Sequence, residues 1–181
     1  IAELDPREFA RVVDAKVAVP TMLTMALGGR FPEREYYCSS VAGVWGGTGM
    51  VGYAAGSAYL DALAASHTAQ GRSCTAVAWS PWAVPGAPVD QESLRASGLR
   101  ALEPTRAERV WERALGTGPG PVVVSDVDWK AFAEGYGAIR PTALFDAVSK
   151  RPREDSSARP DQDGGTGRAE LADRVASVPR P

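Results

Sequence analysis

The chain has 181 residues, 44% of them apolar and 23% charged, which suits a globular protein with one main domain. Its 20 basic and 22 acidic side chains leave a net charge of −2, so no strong positive field is available for nucleic acid or an acidic membrane surface. Cys38 and Cys74 are too few for a disulfide framework or a multi-cysteine zinc site, and the single His67 excludes a histidine-rich metal centre. No charged-then-apolar leader follows Ile1, and a reducing cytoplasm is the expected compartment.

The first element predicted is a helix opening at Asp5-Pro6-Arg7-Glu8. Asp5 suits the cap, Pro6 the first turn, and Glu8 can bond back to the cap. Phe9, Val12, Val13 and Val17 follow at helical spacing, and Lys16 falls on the same face. A lysine on an apolar stripe either runs its stem along the core with its amine in water, or is used. Next, Tyr36-Tyr37-Cys38-Ser39-Ser40 reads as a strand opening into a glycine-rich loop. From Tyr36 to Leu60 no side chain is charged, a length that would span a bilayer. Its glycines and hydroxyl residues break that reading, and the segment is expected in the protein interior.

A helix is predicted from about Tyr53 through Ala65, ending near Gly71, and then a strand from Cys74 to Trp79. After a loop at 83–88, Pro104 starts another helix with Ala107, Val110, Trp111 and Leu115 on one face. Val122-Val123-Val124 forms a third strand, closing on Asp126-Val127-Asp128-Trp129. This alternation specifies an α/β fold, a parallel sheet with crossover helices. Three strands make only half of a doubly wound sheet and leave an apolar edge, so a piece of a larger polypeptide is expected. Residues 1–150 form the domain part. Residues 151–181 lack aromatics, are rich in charge, proline and glycine, and read as a disordered linker.

Gly47-Thr48-Gly49-Met50-Val51-Gly52 matches a dinucleotide fingerprint. The loop from Ser40 is long for the required turn, and the following strand carries no acid for a ribose hydroxyl. Tyr53 and Ser57 lie four apart on one helix face, and Ser40 ends the preceding strand, where open α/β sheets bind ligands. A phenol becomes a usable acid when an ammonium stabilises its anion, and a serine hydroxyl can hold a carbonyl oxygen. Tyrosine, serine and lysine are thus the parts for ketone reduction, although each has an ordinary structural use as well. His67 reads as a surface or helix-capping residue. Cys38 and Cys74 read as small apolar strand residues, Asp126 and Asp128 as a solvated or capping pair, and Trp79 and Trp82 as the floor of a pocket.

Ser39-Ser40-Val-Ala-Gly-Val-Trp45-Gly, Tyr53-Ala-Ala-Gly-Ser-Ala-Tyr-Leu-Asp61-Ala-Leu-Ala, Val77-Ala-Trp79-Ser-Pro81-Trp82 and Val124-Ser-Asp126-Val-Asp128-Trp129 resemble the ketoreductase domain of modular type I polyketide synthases. The resemblance runs to about Val148. It implies the C-terminal half of a Rossmann-type short-chain dehydrogenase/reductase fold in which Tyr53, Ser40 and Lys16 are catalytic, with Ser57 where the family usually has asparagine. It further implies that Trp45, Met50 and Trp82 meet the substrate, and that Tyr53, Lys16 and Pro81 meet NADPH, held mainly by an N-terminal half outside this chain. Trp45 resembles the tryptophan of the subgroup making the L-configured alcohol, whereas Met50 is not that subgroup's usual glutamine or histidine. Ser80 stands where a glycine is usual. The implied partners are an acyl carrier domain bearing a phosphopantetheine-tethered substrate and other synthase domains, with neither nucleic acid nor membrane. The implied reaction is reduction of a β-ketoacyl thioester. The alternatives are a reduction-incompetent domain acting as an α-carbon epimerase, suggested by Ser57, and a structural scaffold.

Overall fold

A computed structural model describes residues 4–85, 90–139 and 142–149. Helix α1 (Pro6–Leu27) is capped as its sequence predicts, with the Asp5 carboxylate accepting from the Arg7 amide at 2.9 Å. Glu8 instead pairs with Arg11 on the helix surface. The uncharged stretch is broken into strand β1 (Glu35–Ser40), a short helix α2 (Ala42–Trp45) and helix α3 (Val51–Ala69). Among the described residues no helix is long and apolar enough to cross a membrane.

Strand β2 (Cys74–Trp79) is central and buried throughout. It pairs in parallel with β1 on one side and with β4 (Gly120–Val124) on the other, giving the order β1-β2-β4. Side-chain alternation sends Tyr37, Ser39, Cys74 and Ala76 to the face covered by α3. Tyr36, Val77 and Trp79 face helix α5 (Pro104–Gly116), where Trp111 stacks on Trp79 with centroids 5.7 Å apart. Both faces of β2 are therefore covered, which explains its unbroken apolar sequence. The strand order advances in one direction while α3 and α5 lie on opposite faces. The two crossovers consequently have opposite hands, a departure from the usual right-handed rule.

A second core forms beside the carboxyl end of the sheet. Helix α4 (Gln91–Ala96), the antiparallel pair β3 (Leu99–Arg100) and β5 (Asp126–Val127), helix α6 (Trp129–Ile139) and the short α7 (Asp146–Ser149) surround Val41 and Trp45. Asp126 is held by Arg100 and Arg106, and Asp128 accepts from the Ala131 amide at the start of α6, so the pair serves as an ion-pair anchor and a cap. The linker expected at 151–181 lies outside the described residues.

Two residues depart from their predicted roles. His67 is buried, not a surface residue, because it is on the α3 face that packs over Tyr37 and Glu35. Cys38 is exposed, since it points to the α5 face of an edge strand.

Candidate functional site

Lys16 reaches the site because α1 and α3 approach closely at two glycines of α3. Gly52 lies under Phe9 and Val12, and a Cβ on Gly56 would sit 3.2 Å from Lys16 Cβ and 3.3 Å from its Cδ. The lysine stem therefore runs across bare backbone. Its Nζ lies 4.6 Å from the centroid of the Tyr53 ring and makes a long hydrogen bond, 3.5 Å, to the Cys38 carbonyl. A cation over an aromatic face is attracted by the ring quadrupole. Tyr53 itself is in the first turn of α3 and 38% exposed, so a ligand can reach it.

Ser40 ends β1 and is buried; its Oγ accepts from the Ala42 amide at 3.2 Å. That bond uses an acceptor lone pair and leaves the hydroxyl proton to donate. Lys16 of α1 thus meets Tyr53 of α3 and the Cys38 carbonyl near the end of β1, and Ser40 is the last residue of that strand.

Ser57 lies one turn after Tyr53 on α3. It is fully buried, and its hydroxyl donates to the Tyr53 carbonyl one turn earlier at 2.8 Å. A serine on a helix readily makes this bond to its own backbone, and a side chain this short has little reach beyond it. The Ser57 carbonyl in turn accepts from Ser39 at 3.0 Å. One turn further along α3 is Asp61, which the motif contains but the sequence reading gave no role. Burial pushes its carboxyl above the usual aspartate value, while Ser39 and the Lys16 ammonium pull the other way. Its Oδ1 is buried without a hydrogen-bond partner. Its position four residues after Ser57 was the available signal, because residues four apart are neighbours on a helix surface.

The residues expected at the substrate separate into three environments. Trp45 is a core residue: its ring packs edge-on against Trp129, Phe132 and Phe145, and its carbonyl accepts from the Tyr136 hydroxyl at 2.8 Å. It anchors the turn that leads to Tyr53. Met50 is exposed just before α3. Trp82 lies on the α5 face, edge-on to Trp79 at 5.3 Å, and lines a cavity of about 350 Å³ with Cys38, Trp79 and Trp111. Pro81 accepts from the Leu102 amide at 2.8 Å, fixing the chain beyond β2.

The glycines at 47–52 do not build a phosphate cradle. Helix α2 separates them from β1, and Gly52 serves the contact with α1. What the site offers is an ammonium and a phenol in a ligand-accessible position, donors suited to sugar hydroxyls and a carbonyl oxygen.

A parallel sheet with helices on both faces and a lysine–tyrosine pair beyond a strand end define a Rossmann-type α/β domain. The KR domain description matches residues 1–84. Erythronolide synthase EryA2 of Saccharopolyspora erythraea is 55% identical over 178 residues, covering 98% of this chain and 5% of that protein. Pikromycin polyketide synthase component PikAII of Streptomyces venezuelae is 44% identical over 155 residues, covering 80% of this chain and 4% of its own length. Among solved structures, the first ketoreductase of the tylosin polyketide synthase is 40% identical with a TM-score of 0.74, covering 80% of this chain and 33% of that one. A C2-type ketoreductase from a modular polyketide synthase is also 40% identical, with a TM-score of 0.71, covering 81% of this chain and 33% of the other. The chain belongs to the KR domain family of modular polyketide synthases, with the short-chain dehydrogenase/reductase fold. It spans about a third of the solved ketoreductases and a few per cent of the synthases.

Proposed function

We propose that this chain carries the tyrosine, serine and lysine of an NADPH-dependent reductase acting on a β-ketoacyl thioester held by an acyl carrier domain. The observation that carries this reading is the Lys16 ammonium 4.6 Å from the Tyr53 ring centroid, beside an exposed phenol. Lys16 stabilises the phenolate left when Tyr53 gives its proton to the reduced oxygen. Ser40, whose hydroxyl proton is available to donate, orients the substrate carbonyl. Tyr53 and Lys16 also suit the ribose hydroxyls of a nicotinamide cofactor, with Pro81 beside it; a phosphate cradle is not among the described residues. When bound, NADPH supplies the hydride. The intact parent module, given NADPH and a β-ketoacyl thioester, is expected to form the β-hydroxyacyl product and to lose that activity in Tyr53→Phe. Undiminished turnover in that variant would end this reading.

One observation favours a second reading. Ser57, where the family usually has asparagine, spends its hydroxyl proton on the Tyr53 carbonyl. A domain weakened in this way retains an acid–base tyrosine able to move a proton at the α-carbon without hydride. Loss of α-deuterium without alcohol formation would favour this epimerase reading.

A further inference from the structure

At the amino end of the sheet, remote in the fold from Tyr53, three elements bring unlike donors together. Glu35 opens β1, Cys74 opens β2, and His67 belongs to the last turn of α3. The ligand atoms these residues offer all lie within 4.8 Å of one another. His67 and Cys74 are buried, and the Glu35 side chain is nearly so. His67 Nδ1 is 3.2 Å from Glu35 Oε2, yet it makes no hydrogen bond although it is shielded from solvent. A buried polar atom left unpaired in this way calls for an explanation.

We infer that Glu35, His67 and Cys74 form a binding site for a divalent cation of zinc type. Carboxylate oxygen, imidazole nitrogen and thiolate sulfur are all zinc ligands, and three protein ligands leave the fourth position to solvent. With bonds of roughly 2.0–2.3 Å, the edges of such a site are about 3.3–3.7 Å. Closing the present spacing requires about 1 Å of side-chain movement. Cys74 gives its proton to solvent as the sulfur–metal bond forms.

The surroundings set the charge balance. Arg72 pairs with Glu35 Oε1 and stacks on Phe31, while the Tyr37 hydroxyl donates to Oε2 at 2.9 Å. Metal enters on the Oε2 side, displacing the Tyr37 bond and leaving Arg72 in place. One carboxylate and one thiolate then face a divalent ion and a guanidinium, a surplus of one positive charge. Hydroxide or chloride at the fourth position neutralises it. The site ties the end of α3 to the first residues of two adjacent strands, a structural role independent of the reduction chemistry.

The test is a cobalt(II) titration of the reduced 181-residue chain carrying Cys38→Ser, which removes the exposed thiol. One equivalent should give thiolate-to-cobalt charge transfer with tetrahedral visible bands. Both signals should be lost in His67→Ala and Glu35→Gln made in that background. Without touching the cluster, zinc at about 100 times its dissociation constant should raise the melting midpoint of the Cys38→Ser chain by roughly 5 °C or more. Absence of the charge-transfer band, its survival in either variant, or an unmoved midpoint would overturn the site.

Discussion

The two ends of the same three-stranded sheet are built on opposite principles. At the amino end, Glu35, Arg72, His67, Tyr37 and Cys74 form a buried polar cluster with most of its charge paired. At the carboxyl end, Lys16 meets Tyr53 through a cation–ring contact and makes a long hydrogen bond to the Cys38 carbonyl, and Tyr53 is open to solvent. One end spends its polar groups on one another; the other leaves them available. Reactive groups must be available in this sense, because a phenol already satisfied by its own protein has no proton to give a substrate.

The contrast is broken most severely at the tyrosine. Tyr53→Phe should lower alcohol formation by the parent module by about 10³-fold while leaving its unfolding midpoint in place. Product analysis and a denaturant titration read the two halves of that statement. The reciprocal change, Glu35→Ala, should cost about 3 kcal/mol of stability, because Arg72 is left buried without its partner. Equilibrium unfolding of the 181-residue chain checks it. Gly56→Ala then tests how α1 delivers the lysine. The new methyl pushes against Lys16 Cβ and Cδ, and turnover by the parent module should fall about tenfold.

Acid sharpens the comparison, because the two carboxyls have opposite signs. Burial pushes Glu35 up, but the Tyr37 hydroxyl and the Arg72 guanidinium outweigh it and hold the carboxyl below its ordinary value. Its stabilising contribution is full above the unfolded-state value and is lost as pH falls through the folded one. Asp61 is raised, chiefly by burial, so its contribution is present below the unfolded-state value and lost as pH rises through the folded one. Stability measured over roughly pH 3 to 7 should lose less on acidification in Glu35→Gln and more in Asp61→Asn. The smallest effect concerns the thiols. Cys38 is exposed, whereas Cys74 is enclosed and burial pushes its thiol up to about 11. Brief alkylation of the native chain should add one group, at Cys38, as peptide mass analysis would show.

The principal strands and their crossover helices were legible because each carries its own punctuation. Asp5-Pro6 opens α1, Pro104 opens α5, and the apolar run at 74–79 is bounded by polar and proline residues. Helix α2 was hidden in what reads as a glycine loop, since four residues carry no periodicity. The β3–β5 pair is two residues long on each side and exists because the second aromatic core holds it together. Tyr53, Ser40 and Lys16 could be proposed from type and spacing, with the family resemblance choosing among ordinary uses. The burial of Trp45 could not, because it depends on Trp129, Phe132 and Phe145, more than 80 residues away in sequence. The Glu35–His67–Cys74 grouping was invisible for the same reason: only the parallel register of β1 and β2 places Glu35 opposite Cys74.

The most direct test is product analysis of the intact parent module, supplied with NADPH and a carrier-bound β-ketoacyl thioester deuterated at the α-carbon. The account predicts a β-hydroxyacyl product formed in step with NADPH consumption. Deuterium loss with no alcohol, from a folded module that binds NADPH, would contradict it and make proton transfer at the α-carbon the reaction this site performs.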